Sequence, residues 1–312
     1  MTSIIDASGL VLVDKPAGMT SHDVVSKLRR AFHTKRVGHA GTLDPMATGV
    51  LVVGIERGTK FLAHMVASTK SYDATIRLGW GTTTEDAEGT CTEVADAARI
   101  ERIDAAMLYD ARDTLVGEIL QRPSSVSAIK INGKRAYELV RNGEEVEIPA
   151  RPVTIHSFDI YSITPTTAEV ETTGETRTAP VIDIEVSVSC SSGTYIRALG
   201  RDLGLALGVP AHLTQLRRTS VGVFDLSQSA PLEQVVEAPE LSLSLDDAMR
   251  ATFPMLEITE AEGKALAMGK WLEPRGLKGV HAACTPDSHA IALVKEKGKR
   301  LSSVFVARPS TL

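Results

Sequence analysis

Between positions 181 and 188 the chain reads Val-Ile-Asp-Ile-Glu-Val-Ser-Val, with apolar and polar side chains taking turns. A period of two puts successive side chains on opposite faces of a strand, so this segment requires a sheet with one covered face and one wet face. A second alternation, Ser-Tyr-Asp-Ala-Thr-Ile-Arg-Leu over 71–78, asks for the same sheet. The apolar run Gly-Val-Leu-Val-Val-Gly-Ile over 49–55 is strand-sized and asks for cover on both faces, as does a shorter run over 10–14. Helical spacing appears between them: Val24, Val25, Leu28, Ala31 and Phe32 share one face behind the polar start Thr-Ser-His-Asp at 20–23. Further helices are expected over 59–67, near 104–108, over 113–120, over 134–141 before Asn142-Gly143, and over 194–207 before Gly208. No fixed-period repeat and no strictly alternating strand–helix rhythm is present, which makes the fold α+β with a mixed, mainly antiparallel sheet.

A chain of 312 residues, 43% of them hydrophobic, holds one large domain or a main domain with a smaller one. The turn-rich, apolar-poor passage over 227–244 marks the boundary, giving a main domain over 1–240 and a β-rich module over 250–312. That module opens with a Thr-Glu-Ala-Glu capping box at 259–262 and continues with short strands at 290–294 and 303–307. No apolar run reaches the ~20 residues of a membrane helix. The start, Met-Thr-Ser-Ile-Ile-Asp, lacks the basic flank of a leader. A cytoplasmic protein is expected. Cys91, Cys190 and Cys284 are an odd set without C-x-x-C spacing, against both a disulfide framework and a zinc site. The eight histidines have no ligand spacing, so no metal is expected. Gly-Ile-Glu-Arg-Gly-Thr-Lys at 54–60 misses the phosphate-loop spacing, and no G-x-S-x-G occurs, which excludes a P-loop ATPase and an α/β-hydrolase.

The net charge of −5 disfavours a polyanionic partner when taken globally. Its distribution does not. Lys27, Arg29, Arg30, Lys35 and Arg36 fall within ten residues that contain no acid, whereas carboxylates dominate 85–113, which is expected to be a surface insertion. Such a basic run is either a solvated helix face or a local patch that displaces counterions from nucleic acid.

Asp44 stands in Gly38-His-Ala-Gly-Thr-Leu-Asp-Pro-Met-Ala-Thr-Gly49, a carboxylate among small residues directly before a proline. Local physics makes it a turn aspartate. The segment also resembles the active-site motif of the bacterial tRNA pseudouridine synthase B family, which modifies uridine 55 in the tRNA T loop. Four further stretches resemble that family in the same order: Val13-Asp-Lys-Pro-Ala-Gly-Met-Thr-Ser-His-Asp23; Lys70-Ser-Tyr72-Asp-Ala; Pro123-Ser-Ser-Val-Ser-Ala-Ile-Lys130 with Gly133 and Tyr137; and Cys190-Ser-Ser-Gly-Thr-Tyr-Ile-Arg197 followed by Leu216-Arg-Arg218. Ser124 departs from the usual second proline of its block.

The resemblance implies a pseudouridine synthase fold with a PUA-like C-terminal module, no cofactor, and Asp44 as the carboxylate beside the sugar of a flipped-out uridine, the catalytic nucleophile at C1′ or a base on the sugar. It implies that Arg197 pairs with that carboxylate and that Tyr72 stacks on the uracil and helps remove its C5 proton. His39 would fill space the base vacates; Tyr195 and Leu216 would contact the uracil; Lys15 and Pro16 would support the loop. From their positions alone Arg197 is a helix-surface arginine, Tyr72 and Leu216 are core residues, and His39 is a loop histidine. Lys130, Arg141, Arg217 and Arg218 join Arg29, Arg30 and the rest of the basic run as the phosphate contacts on the T arm that this reading implies. The expected partner is tRNA, met by a monomer without guide RNA or membrane. Two rivals share the cleft: a non-catalytic tRNA binder and a guide-RNA-dependent synthase. A one-carboxylate glycosidase lacks a positioned acid partner.

Overall fold

Both alternating segments become long neighbouring strands in the computed structural model, which describes residues 3–65, 68–124, 130–131, 134–135, 148–172 and 174–311. The chain forms two compact units, Ser68–Thr219 and a second made of Met1–Ala67 with Ser220–Leu312.

In the unit Ser68–Thr219 the strands lie in the order Ala211–Val221, Lys70–Leu78, Glu175–Cys190, Arg151–Thr172, Gly117–Gln121. The last three pairings are antiparallel, with Tyr72 opposite Val188 and Gln121 opposite Arg151. Tyr72, Ala74, Ile76 and Leu78 are buried, as are Ile182, Ile184, Val186 and Val188. The helix Ile196–Ala206 covers that layer, and Gly204 lets its last turn pack against the segment that follows it, since a Cβ there would stand 2.6 Å from the Val209 carbonyl oxygen. The strand Arg151–Thr172 carries no alternation in sequence because much of its length is exposed and threonine-rich, and beyond Ile155, where its pairing with Gly117–Gln121 ends, it is paired with Glu175–Cys190.

Two expectations for this unit are corrected. The helix expected over 113–120 is instead the end of the helix Ala105–Asp113 followed by the edge strand Gly117–Gln121. Asp104 is the N-cap of that helix, accepting from the Met107 amide at 2.9 Å. Gly117, at φ 94°, introduces the strand. Lys134–Arg135 forms a strand paired with Lys130–Ile131 where a helix was expected. The two intervening residues are Asn-Gly, the pair that favours two-residue hairpins. The remainder of that expected helix, 136–141, lies outside the described residues.

In the other unit Gly9–Lys15 runs antiparallel to Thr48–Ile55, flanked by Ala230–Pro231, Leu243–Ser244 and Val37–Ala40. The helix Ser21–Ala31 begins with a capping box: the Asp23 amide donates to Thr20 Oγ1, and the Thr20 amide to the Asp23 carboxylate. A separate sheet orders Met255–Glu257, Val280–Cys284, Ala290–Lys297 and Arg300–Val306. Its apolar face joins a core that also contains Leu10, Leu12, Val50, Val52 and Phe61, while its other face closes over Ile258, Leu266 and Leu272. Arg57 bolts the last strand down, donating to the carbonyls of Val306 and Ala307. Among the described residues no helix is long and apolar enough to cross a membrane.

Candidate active site

Asp44 is half-buried in the loop between the strands Val37–Ala40 and Thr48–Ile55, and both of its chain neighbours are tied to the segment that opens the first helix. Ser21, in the first turn of that helix, donates from Oγ to the Leu43 carbonyl at 3.1 Å and accepts from the Leu43 amide at 2.8 Å. On the other side the Pro45 carbonyl accepts from the Gly18 amide at 2.9 Å and from Lys15 Nζ at 3.3 Å. Lys15 is fully buried, and its ammonium also donates to the carbonyls of Pro16 at 2.9 Å and Met19 at 2.7 Å. A turn closes beneath the carboxylate, with the Ala47 amide on the Asp44 carbonyl at 3.1 Å. Lys15 is thus part of the scaffold on which residue 44 sits. His39 lies in the strand before the loop, opposite Val53.

In the other unit, Tyr72 and Lys70 share the buried face of one strand. Burial pushes the Lys70 ammonium below its ordinary range, reinforced by the nearby Arg218 guanidinium. Arg218 is itself buried, which removes it from the exposed phosphate contacts expected of the sequence; Leu216, on the same strand, is buried as well, and Arg217 is half-buried. Arg197 sits in the first turn of the helix Ile196–Ala206, and Tyr195 is the N-cap residue of that helix. The loop before it is turned by Gly193 at φ 89°, a conformation open to glycine and costly for other side chains.

Arg197 is only 5% exposed and donates to the Thr84 carbonyl at 2.8 Å, with the Asp86 carboxylate 3.5 Å from the same nitrogen. One turn further, Arg201 bonds Glu85 at 2.6 Å. The stretch after Thr82 is therefore no surface insertion at its start. Asp86 is 2% exposed, braced by Thr84 Oγ1 and the Glu88 amide, and Glu85 takes φ 62°. Two arginines one helical turn apart hold this acidic loop against the helix that carries Arg197.

Residues 29–196, over half of the chain, match the family model described as TruB family pseudouridylate synthase (N terminal domain). The chain belongs to the TruB family. Residues 197–253 and 253–308 match the models tRNA pseudouridylate synthase B C-terminal domain and tRNA Pseudouridine synthase II, C terminal. A tRNA pseudouridine synthase B of Corynebacterium efficiens is 63% identical over 312 residues, all of both chains. One of Mycobacterium ulcerans is 53% identical, covering 97% of this chain and 96% of its own. Among solved structures, a Cbf5-Nop10-Gar1 complex aligns with TM-score 0.70 at 24% identity, over 99% of this chain and 88% of that one, a likeness of fold.

Within this TruB chain the basic residues divide by environment. Lys27, Arg30 and Lys35 are exposed; Arg29 is exposed but donates to the Val37 carbonyl, and Arg36 pairs with Glu56. Lys130 belongs to the short strand paired with Lys134–Arg135, while Arg141 and Tyr137 lie outside the described residues. Two residues that support the motif positions carry no signal of their own in the sequence: Asp86, whose partner is distant along the chain, and Gln121, which holds Tyr195. Only the acid–arginine complementarity of 85–86 with 197 and 201 could have been sought, and it has no fixed spacing.

Proposed function

We propose that this chain isomerises uridine 55, in the T loop of tRNA, to pseudouridine, with Asp44 as the nucleophile at the ribose C1′. The protein is a tRNA pseudouridine synthase by family, and the loop position and the role of Asp44 are our reading of its motif. The reaction breaks the N1–C1′ bond and forms C5–C1′; C5 loses its proton and N1 gains one, so no group is carried and no redox partner enters. A carboxylate fixed beside the sugar and kept ionised is the chief requirement. The observation that supports Asp44 in this role is the anchoring of Leu43 by Ser21 and of Pro45 by Lys15 and Gly18, which fixes the backbone on both sides of a half-buried carboxylate. Tyr72 serves as stacking platform and assists C5 deprotonation, Tyr195 and Leu216 contact the uracil, His39 fills the space it leaves, and Arg197 supplies the balancing charge. The enzyme acts alone, without guide RNA.

The test is incubation with an unmodified tRNA transcript, without guide RNA or added cofactor, and mapping of pseudouridine by carbodiimide primer extension. A single stop at the T-loop uridine is expected, lost in Asp44→Asn while tRNA binding stays within a few-fold. Tight binding by the wild-type protein with no stop would overturn the reading.

A further inference from the structure

The helix that carries Arg197 begins at Tyr195 without a cap from its own side chain. The Tyr195 carbonyl already accepts the first helical bond, from the Leu199 amide at 3.1 Å. Its remaining backbone needs are met from the end of the strand Gly117–Gln121. Gln121 Nε2 donates to the same Tyr195 carbonyl at 3.1 Å, and Gln121 Oε1 accepts from the Tyr195 amide at 2.8 Å. Both ends of one amide thus grip both backbone groups of one residue. Gln121 is 1% exposed, so its end of each bond is shielded from water. The carbonyl of Arg122, the residue after the strand, accepts from Arg201 at 2.8 Å, so two successive residues engage the N-cap and the second turn of the helix.

We propose that Gln121 is a positioning residue for pseudouridine formation, setting the backbone at Tyr195 and with it the approach of the Tyr195 and Arg197 side chains. The inference rests on the roles given to those two residues under Proposed function. Stability alone does not call for this arrangement. An apolar side chain at a strand end packs without needing partners, whereas a primary amide in a dry site must be matched at both its donor and its acceptor, and only one backbone orientation of residue 195 matches both. The amide therefore specifies an orientation.

Two substitutions separate positioning from support. Gln121→Met keeps length and volume and removes both bonds. Single-turnover conversion of a tRNA transcript should slow at least tenfold per folded molecule, with tRNA affinity within about twofold of wild type. Gln121→Glu places an acceptor opposite the Tyr195 carbonyl when ionised, yet as a protonated acid it reproduces the amide's donor–acceptor pair, and burial favours that form. Its rate, taken relative to wild type at each pH, should rise as pH falls, a rescue that a space-filling role would not give. A wild-type rate in Gln121→Met, or a flat relative profile in Gln121→Glu, overturns the proposal. Arg197→Ala serves as control: if wild type converts the transcript and Arg197→Ala does so equally well, the role given to Arg197 fails, and the positioning argument that rests on it fails with it.

Discussion

Lys15 carries a side chain with no exposed surface, and its ammonium is surrounded by the carbonyls of Pro16, Met19 and Pro45. Such a group holds its backbone partners by charge-assisted bonds that an apolar replacement cannot make. Lys15→Met should cost about 2–4 kcal/mol, read as a lower urea midpoint, because three carbonyls lose the charged donor they share. Turnover should fall more than tRNA affinity, since Pro45 adjoins Asp44; an unchanged midpoint would remove Lys15 from the scaffold. At this scale the motif residues were legible because their neighbours in sequence carry the pattern. Asp86 was not. Its carboxylate gains meaning from Arg197, which lies far along the chain, and a run of acids read locally looks like a solvated surface.

At the scale of elements, what is local was legible and what is set by partners was not. The start of the first helix was legible because a capping box lies within four residues, and it matters to the site because Ser21 follows Thr20 directly. Thr20→Ala should cost about 1 kcal/mol in thermal unfolding and loosen the turn that holds Leu43, giving a slower enzyme; a full-rate variant would sever the cap from the site. The strand Gly117–Gln121 stands where the sequence predicts a helix over 113–120, because its identity comes from the edge it joins. Strand packing also predicts a pH response. His212 is buried on the strand Ala211–Val221, its ring 5.1 Å from Trp80 and its Nδ1 2.8 Å from the Trp80 carbonyl. Burial lowers its pKa below the ordinary 6.5, outweighing the bond to Trp80. The unfolded chain therefore takes up the proton first, so the stability tied to neutral His212 is present above that ordinary value and is lost as pH falls below it toward the folded value. His212→Gln retains a donor and does not titrate. Its denaturation midpoint should fall less steeply than the wild type's between about pH 7 and 5, leaving the share due to His64, whose ring burial also lowers; an identical slope would exclude His212.

At the scale of the molecule, the passage over 227–244 looked like a boundary because it is polar and rich in turns. In the structure it contributes Ala230–Pro231 and Leu243–Ser244 to the edges of Gly9–Lys15, pairing Val13 with Ala230 and Gly9 with Ser244. Short edge pairings need backbone bonds and little apolar surface, so composition gives no sign of them. The C-terminal sheet likewise reads as a small module by itself, yet Ala282, Cys284, Ala290, Leu293 and Phe305 share one core with Leu10, Leu12 and Phe61. Each large apolar side chain exposed by its removal costs about 1.5–3 kcal/mol, and a domain's whole stability is about 5–15 kcal/mol. A chain ended at residue 253 should therefore lose its cooperative thermal transition or fail to accumulate in soluble form. That failure would precede any question of RNA binding, because the strands Gly9–Lys15 and Thr48–Ile55, which frame the Asp44 loop, lean on the deleted sheet. Truncated protein that melts at the wild-type temperature would instead make the sheet a detachable appendage.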